Sequence, residues 1–262
     1  MITAESRSIQ LPGGFAANTT LTRGDGSPVV YLHGPFGQEW TGFLEDLSAR
    51  HRVFAPAHPG AEEPEDLQRL DGIFDLVLYY DDLLDRLGLD QIDLVGHSFG
   101  GMVAAELAAT FPERVRKLVL IDALGLWRND APVGDHVMTA PENQIALLYA
   151  DPSKPEIVAS LAQPADVEKR NAAIVHRFSA IASTSHFIWP IPERGLAKRL
   201  RRIKADTLVI WGRQDALVPV VYAHDFAALI PGARVRLVDG AGHVPQVEER
   251  SQVSQAVLDF LA

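Results

Sequence analysis

Short apolar runs separated by longer helical patterns organise this chain. The runs are Val29-Val30-Tyr31-Leu32, Arg52-Val53-Phe54-Ala55, Ile92-Asp93-Leu94-Val95, Leu118-Val119-Leu120-Ile121, Thr207-Leu208-Val209-Ile210-Trp211 and Val235-Arg236-Leu237-Val238. Each stops at Gly, Pro, Asp or a His-Gly pair. They are near-continuous rather than alternating, the pattern of parallel strands covered on both faces. Between them, Phe74 to Leu87 carries Phe74, Val77, Leu78, Leu84 and Leu87 at helical spacing. Ser98 to Thr110 is rich in Ala and Gly, which suits close packing on a sheet, and Val220 to Leu229 and Gln252 to Leu261 are the last two helices. The alternation predicts an α/β fold with a parallel sheet and right-handed crossovers.

One stretch breaks the rhythm. From Leu124 to about Lys204 no clear strand appears and the helical segments are irregular. At about twice the length of a crossover helix, it reads as a helical insertion after the sixth strand. Arg194 to Lys204 within it is basic, which predicts a solvated helix face. The acidic loop Glu62 to Asp71 is a possible electrostatic partner for it.

Composition narrows the classes. The 262 residues are 47% apolar and 22% charged, so the chain is globular rather than disordered. There is no cysteine, which removes disulfides, thiolate nucleophiles and cysteine metal sites. A net charge of −10 makes nucleic acid a poor partner, since phosphate binding draws on Lys and Arg. No stretch has the apolar length of a membrane span, and Met1 to Gly14 has no signal-peptide core. The expectation is a cytoplasmic protein with no membrane partner; the oligomeric state is left open.

The sharpest chemical signal is Gly96-His97-Ser98-Phe99-Gly100-Gly101, lying between a strand and a helix. This is the G-x-S-x-G nucleophile elbow in its required context. The serine sits on a strained turn that lifts its hydroxyl above the sheet. The helix start behind it offers free N–H groups to developing negative charge. A serine nucleophile needs a base, and the base needs an orienting carboxylate. His243 follows the last run in a Gly-flanked loop, and Asp215 follows Thr207–Trp211. The order Ser98, Asp215, His243 is neither that of chymotrypsin nor that of subtilisin.

Together, His33-Gly34, the elbow, Trp211-Gly212-Arg213-Gln214-Asp215 and Gly242-His243 resemble the α/β-hydrolase superfamily, and its small capped serine hydrolases most. The resemblance spans Val29 to the C-terminus and implies a mostly parallel eight-stranded sheet with helices on both faces. It implies a hydrolase core over residues 1–123 and 205–262, with residues 124–204 as a cap over the active site. Asp122 is a rival acid, because some members place theirs after the preceding strand. One oxyanion donor is then the Phe99 N–H. The second comes, in relatives, from the residue after the His33-Gly34 pair. Here that residue is Pro35, which has no N–H, so the expectation moves to Phe36.

The cap aromatics Trp127, Phe187 and Trp189 are candidates to line a substrate pocket. His33 and His97 read as structural, and His51 and His224 as surface residues. His136, His176 and His186 are scattered through the cap without ligand spacing, so no metal is expected, and no cofactor. The leading expectation is a carboxylic ester hydrolase acting on small to medium esters through an acyl-enzyme. The alternative is a hydrolase of carbon–carbon bonds in ring-cleavage products. Such enzymes typically carry Asn before the serine and an aromatic residue after the histidine, where this chain has His97 and Val244. A receptor-like binding protein on the same scaffold is the third reading.

Overall fold

The computed structural model describes residues 4–191 and 193–262. Its strands are β1 (Glu5–Ile9), β2 (Asn18–Arg23), β3 (Pro28–Leu32), β4 (Arg52–Pro56), β5 (Ile92–His97), β6 (Val115–Ile121), β7 (Asp206–Gly212) and β8 (Arg234–Val238). They form one eight-stranded sheet in the order β1-β2-β4-β3-β5-β6-β7-β8. Pairing is parallel from β4 to β8, and β2 runs antiparallel to both β1 and β4.

The helices are α1 (Gly42–Ser48), α2 (Ile73–Leu87), α3 (Phe99–Thr110), α4 (Pro141–Leu148), α5 (Pro155–Leu161), α6 (Val167–Ile188), α7 (Leu196–Arg199), α8 (Val221–Leu229), α9 (Pro245–Glu248) and α10 (Arg250–Leu261). The two-residue period of the strands divides the core between the sheet faces. Val30, Leu32, Leu94, Leu118, Leu120, Val209 and Trp211 pack with α2, α3 and α8. Val29, Tyr31, Val95, Val119, Ile121 and Ile210 pack with α1 and α10. Both faces are apolar, which is why the central strands read as continuous runs.

β1 and β2 lie outside that pattern. β2 reads Asn-Thr-Thr-Leu-Thr-Arg, and its inward positions are polar. Asn18, Thr20 and Thr22 are buried there, with Thr20 Oγ1 donating to Asn18 Oδ1 at 2.8 Å and Asn18 Nδ2 to the Ala57 carbonyl at 2.8 Å.

Between β6 and β7 the chain forms α4 to α7, with no strand among the described residues. α6 is capped by Asp166, whose side chain accepts the Lys169 N–H at 2.9 Å. It reaches the core through His186, which bonds the Leu70 carbonyl at 2.6 Å. None of the described helices is long and apolar enough to cross a membrane.

The basic segment does not pair with the acidic loop. Its charges meet α3 and the turn beyond it, which lie alongside. Arg199 forks onto Glu106 at 2.6 and 2.7 Å, Lys204 meets Glu113 at 2.6 Å, and Arg202 bonds the Ala109 carbonyl at 3.0 Å. His51 is a second correction. It is buried rather than on the surface, because it turns inward to share a 2.9 Å hydrogen bond with Ser27.

α3 is buried along nearly its whole length, and Glu106 is its one buried carboxylate. Removing Arg199 strands that charge. Arg199→Ala is expected to cost about 2–4 kcal/mol in urea unfolding, at or below the usual range because the guanidinium is partly exposed. Replacing both partners with Leu should cost less than the single change. Equal losses would show that the pair is not what the buried carboxylate depends on.

Candidate active site

β5 ends at His97 and α3 begins at Phe99, so a single residue makes the turn. Ser98 pays for that with φ 54° and ψ −117°, a conformation L-residues avoid. Packing holds it there. Its N–H bonds the Ile121 carbonyl at 2.9 Å, and its carbonyl accepts the Met102 and Leu124 N–H groups at 3.1 and 3.0 Å. The flanking glycines are required by close approach. A Cβ on Gly96 would strike the Gly100 carbonyl, and one on Gly100 would strike the Leu32 and His33 carbonyls.

The structure brings Ser98, His243 and Asp215 into one line. Ser98 Oγ lies 2.8 Å from His243 Nε2, and His243 Nδ1 lies 2.8 Å from Asp215 Oδ2. Asp215 Oδ1 accepts the Leu217 and Val218 N–H groups at 2.8 and 2.9 Å. With Nδ1–H donating to the carboxylate, the Nε2 lone pair faces the serine hydroxyl, ready to accept its proton. All three residues are buried.

Two loops carry the imidazole and its carboxylate. Arg213 N–H bonds the Val238 carbonyl at 2.9 Å, and Gln214 N–H bonds the Ala241 carbonyl at 3.0 Å. His243 N–H reaches the Leu148 carbonyl at the end of α4, at 2.8 Å. Glu248, absent from any motif, fastens the same loop. It accepts the Gly242 N–H at 2.6 Å on one oxygen and the Ala150 N–H at 2.8 Å on the other.

Asp122 sits beside this line but does not take Asp215's place. His243 Nδ1 bonds Asp215, while Asp122 Oδ1 accepts the Gly212 N–H at 2.9 Å. Donor atoms of Asp122, Asp215 and His243 lie within 4.8 Å of one another. His243 and Asp215 are bonded to each other, and Asp215 and Asp122 each accept backbone N–H groups.

Four histidines surround the serine, all buried. His97 bonds the His243 carbonyl at 2.8 Å. His33 contacts the Gly34 carbonyl at 2.7 Å, and its own carbonyl accepts from Gly100 and from His58. His58, which no motif marked, also touches Tyr80 at 2.5 Å and packs on Phe99. His136 lies edge-on to Phe36, and neither ring nitrogen has a hydrogen-bond partner among the described residues. His176 also packs on this loop, where a Cβ on Gly37 would meet its Nε2 at 2.8 Å. His136 and His176 thus converge on one loop instead of being scattered.

The residues proposed for oxyanion and substrate contacts divide. Phe99 is buried beside Ser98, and Phe187 lies 6.1 Å from it, ring to ring. The Phe36 ring lies under the Arg177 guanidinium at 4.3 Å. Trp127 and Trp189 share no ring contact with Phe36, Phe99 or Phe187 among the described residues. Trp127 lines a cavity of about 270 Å³ with α8 residues and bonds Asn129, and Trp189 is half-exposed.

The sequence profile of the alpha/beta hydrolase family matches residues 29–256, and the chain belongs to that family. It is 28% identical over its whole length to a 2-hydroxy-6-oxo-2,4-heptadienoate hydrolase of Pseudomonas putida, covering 98% of that protein. Over 91% of the chain it is 31% identical to a 2-hydroxy-6-oxononadienedioate/2-hydroxy-6-oxononatrienedioate hydrolase of Comamonas testosteroni, covering 89% of it. The fold also matches the 2-hydroxy-6-oxo-6-phenylhexa-2,4-dienoate hydrolase of Rhodococcus sp. strain RHA1. That match has a TM-score of 0.75, 22% identity, and 99% coverage of both chains.

Burial keeps the surrounding histidines neutral. It lowers His58 and His136 to about 4 and His97 to about 3, from an ordinary 6.5. The unfolded chain therefore binds more protons than the folded one between about pH 6.5 and 4. Stability is full above that window and falls as pH drops through it, by about 1.4 kcal/mol per pH unit for each such histidine. Urea midpoints at pH 7.5, 6 and 5 should decline accordingly, and His58→Phe should flatten the slope. Midpoints independent of pH would contradict neutral burial.

Proposed function

We propose that this protein is a serine-dependent hydrolase of the carbon–carbon bond beside the ketone of 2-hydroxy-6-oxo-dienoate acids. The observation that carries the reading is the end-to-end similarity to hydrolases of such acids. It moves the emphasis away from the ester reading that the elbow alone favoured. Arg177 supports it. This guanidinium is half-buried over Phe36, bonds Gln144 at 3.0 Å, and has no ion pair among the described residues. A carboxylate on the substrate would complete it.

The chemistry follows from the positions. The dienol substrate first tautomerises to a 2,6-diketone, losing the proton of its 2-hydroxyl and gaining one at C5. Ser98 Oγ attacks the C6 carbonyl as His243 Nε2 accepts its proton, and Asp215 stabilises the imidazolium. The Phe99 and Phe36 N–H groups hold the oxyanion, Phe99 from the N-terminus of α3. The C5–C6 bond then breaks. Its electrons move into the conjugated oxo acid, and the dienolate takes the proton held by His243 and leaves as a 2-hydroxy-2,4-dienoate, which returns His243 to its neutral form. Water activated by His243 releases the acyl group from Ser98. For a heptadienoate the products are acetate and 2-hydroxypenta-2,4-dienoate.

Ester hydrolysis is the second reading, and His97 favours it. In place of the Asn typical of carbon–carbon hydrolases, a histidine stands here with one nitrogen already bonded to the His243 carbonyl. Acyl transfer through Ser98 serves esters equally well.

The two are separated by assaying 2-hydroxy-6-oxo-2,4-heptadienoate and p-nitrophenyl acetate side by side. The expected kcat/KM for the dienoate is at least about tenfold higher. Ser98→Ala should lower it by a factor on the order of 10⁴ or more. A faster ester would make this an esterase. Turnover that survives Ser98→Ala would remove the serine mechanism altogether.

A further inference from the structure

Asp122 is a buried carboxylate at the site to which the proposed reaction gives no task. It follows β6 directly and adopts φ 44°, a left-handed conformation that Asp tolerates better than most residues. Its backbone N–H bonds the Ile210 carbonyl of β7 at 3.0 Å, and its Oδ1 accepts the Gly212 N–H at 2.9 Å. Backbone and side chain together pin β6 to the end of β7, three residues before Asp215.

The other oxygen raises a question of protons. Asp122 Oδ2 is buried, and it has no hydrogen-bond partner among the described residues. A carboxylate oxygen of Asp215 lies within 4.8 Å of one of Asp122, and both side chains are buried. Burial makes the repulsion between two ionised carboxylates at that separation severe. One of them must carry a proton. Asp215 accepts three donors: the Leu217 and Val218 N–H groups and the His243 ring. Asp122 accepts one, from Gly212. The charge belongs where the donors are.

We infer that Asp122 is a positioning residue. As a neutral carboxylic acid it accepts the Gly212 N–H on Oδ1 and donates from Oδ2 to Asp215, holding that carboxylate in line with His243. The charged and titratable groups facing this pair are His243 and Glu248 from the loop and helix after β8, and His97 from β5. Glu248 adds a further negative charge nearby, which also favours the protonated form. Burial raises the Asp122 carboxyl well above the ordinary range, in agreement with this placement.

The inference rests on the proposed serine mechanism for its use, but its test does not need a substrate. His243 is titrated by NMR in the parent, in Asp122→Asn and in Asp122→Ala. An Asn amide accepts from Gly212 and donates to Asp215, as a neutral acid does. Asp122→Asn should therefore leave the His243 midpoint in place. Asp122→Ala removes a donor from Asp215, strengthens its pull on the imidazolium, and should raise the midpoint. If Asp122 is ionised in the parent, Asp122→Asn removes a negative charge and lowers the midpoint by about one unit, which would overturn the inference.

Infrared difference spectra provide the second measurement. The parent should show a protonated-carboxyl C=O band that Asp122→Asn abolishes; no difference would overturn it. On any substrate that depends on Ser98, Asp122→Ala should lower kcat roughly tenfold or more with KM little changed, and Asp122→Asn should restore most of it. Failure of every substrate would count against the proposed function, while the titration and the infrared band still decide the place of the proton.

Discussion

The backbone at Ser98 is the constraint on which the rest depends. A residue with φ 54° between a strand and a helix is unstable by itself and survives only where its surroundings leave no alternative. Here the surroundings are the carboxyl ends of four parallel strands, stitched across. Ser98 bonds Ile121, Asp122 bonds Ile210, and Gly212 bonds the Asp122 side chain. Arg213 then bonds Val238. Each link places the next loop, so the serine, the carboxylate and the imidazole inherit their positions from the sheet rather than from flexible segments.

Burial turns that geometry into chemistry. A hydroxyl, an imidazole and a carboxylate aligned in a dry interior interact more strongly than they would in water. The same burial is costly for any charge without partners. The neighbouring histidines respond by staying neutral. Asp215 is met by three donors. Arg177, lying on Phe36, has no ion pair among the described residues, which is why the proposed function gives it the substrate carboxylate.

How far the sequence alone could be read follows from the range of each interaction. The elbow was readable because its strand, turn and helix are contiguous. Asp215 and His243 were readable because each follows an apolar run directly. β2 was not, since its inward face is Asn and Thr rather than aliphatic. Within residues 124–204 the helices have no regular period, so nothing local tells whether Trp127 and Trp189 face a pocket, the core or the surface. His58, His136 and Glu248 act across separations of tens to about a hundred residues, so no local pattern announces them. Asp122 stood out as a rival acid, but only the three-dimensional count of donors separates its task from that of Asp215.

The central claim is that this arrangement makes Ser98 a nucleophile. The most direct measurement is mass spectrometry after treatment with an alkyl fluorophosphonate, which phosphonylates an activated serine with loss of fluoride. One adduct per chain, mapped to Ser98, slowed greatly in His243→Gln and absent in Ser98→Ala, is the predicted result. No adduct, or an adduct on another residue that persists in Ser98→Ala, would contradict it.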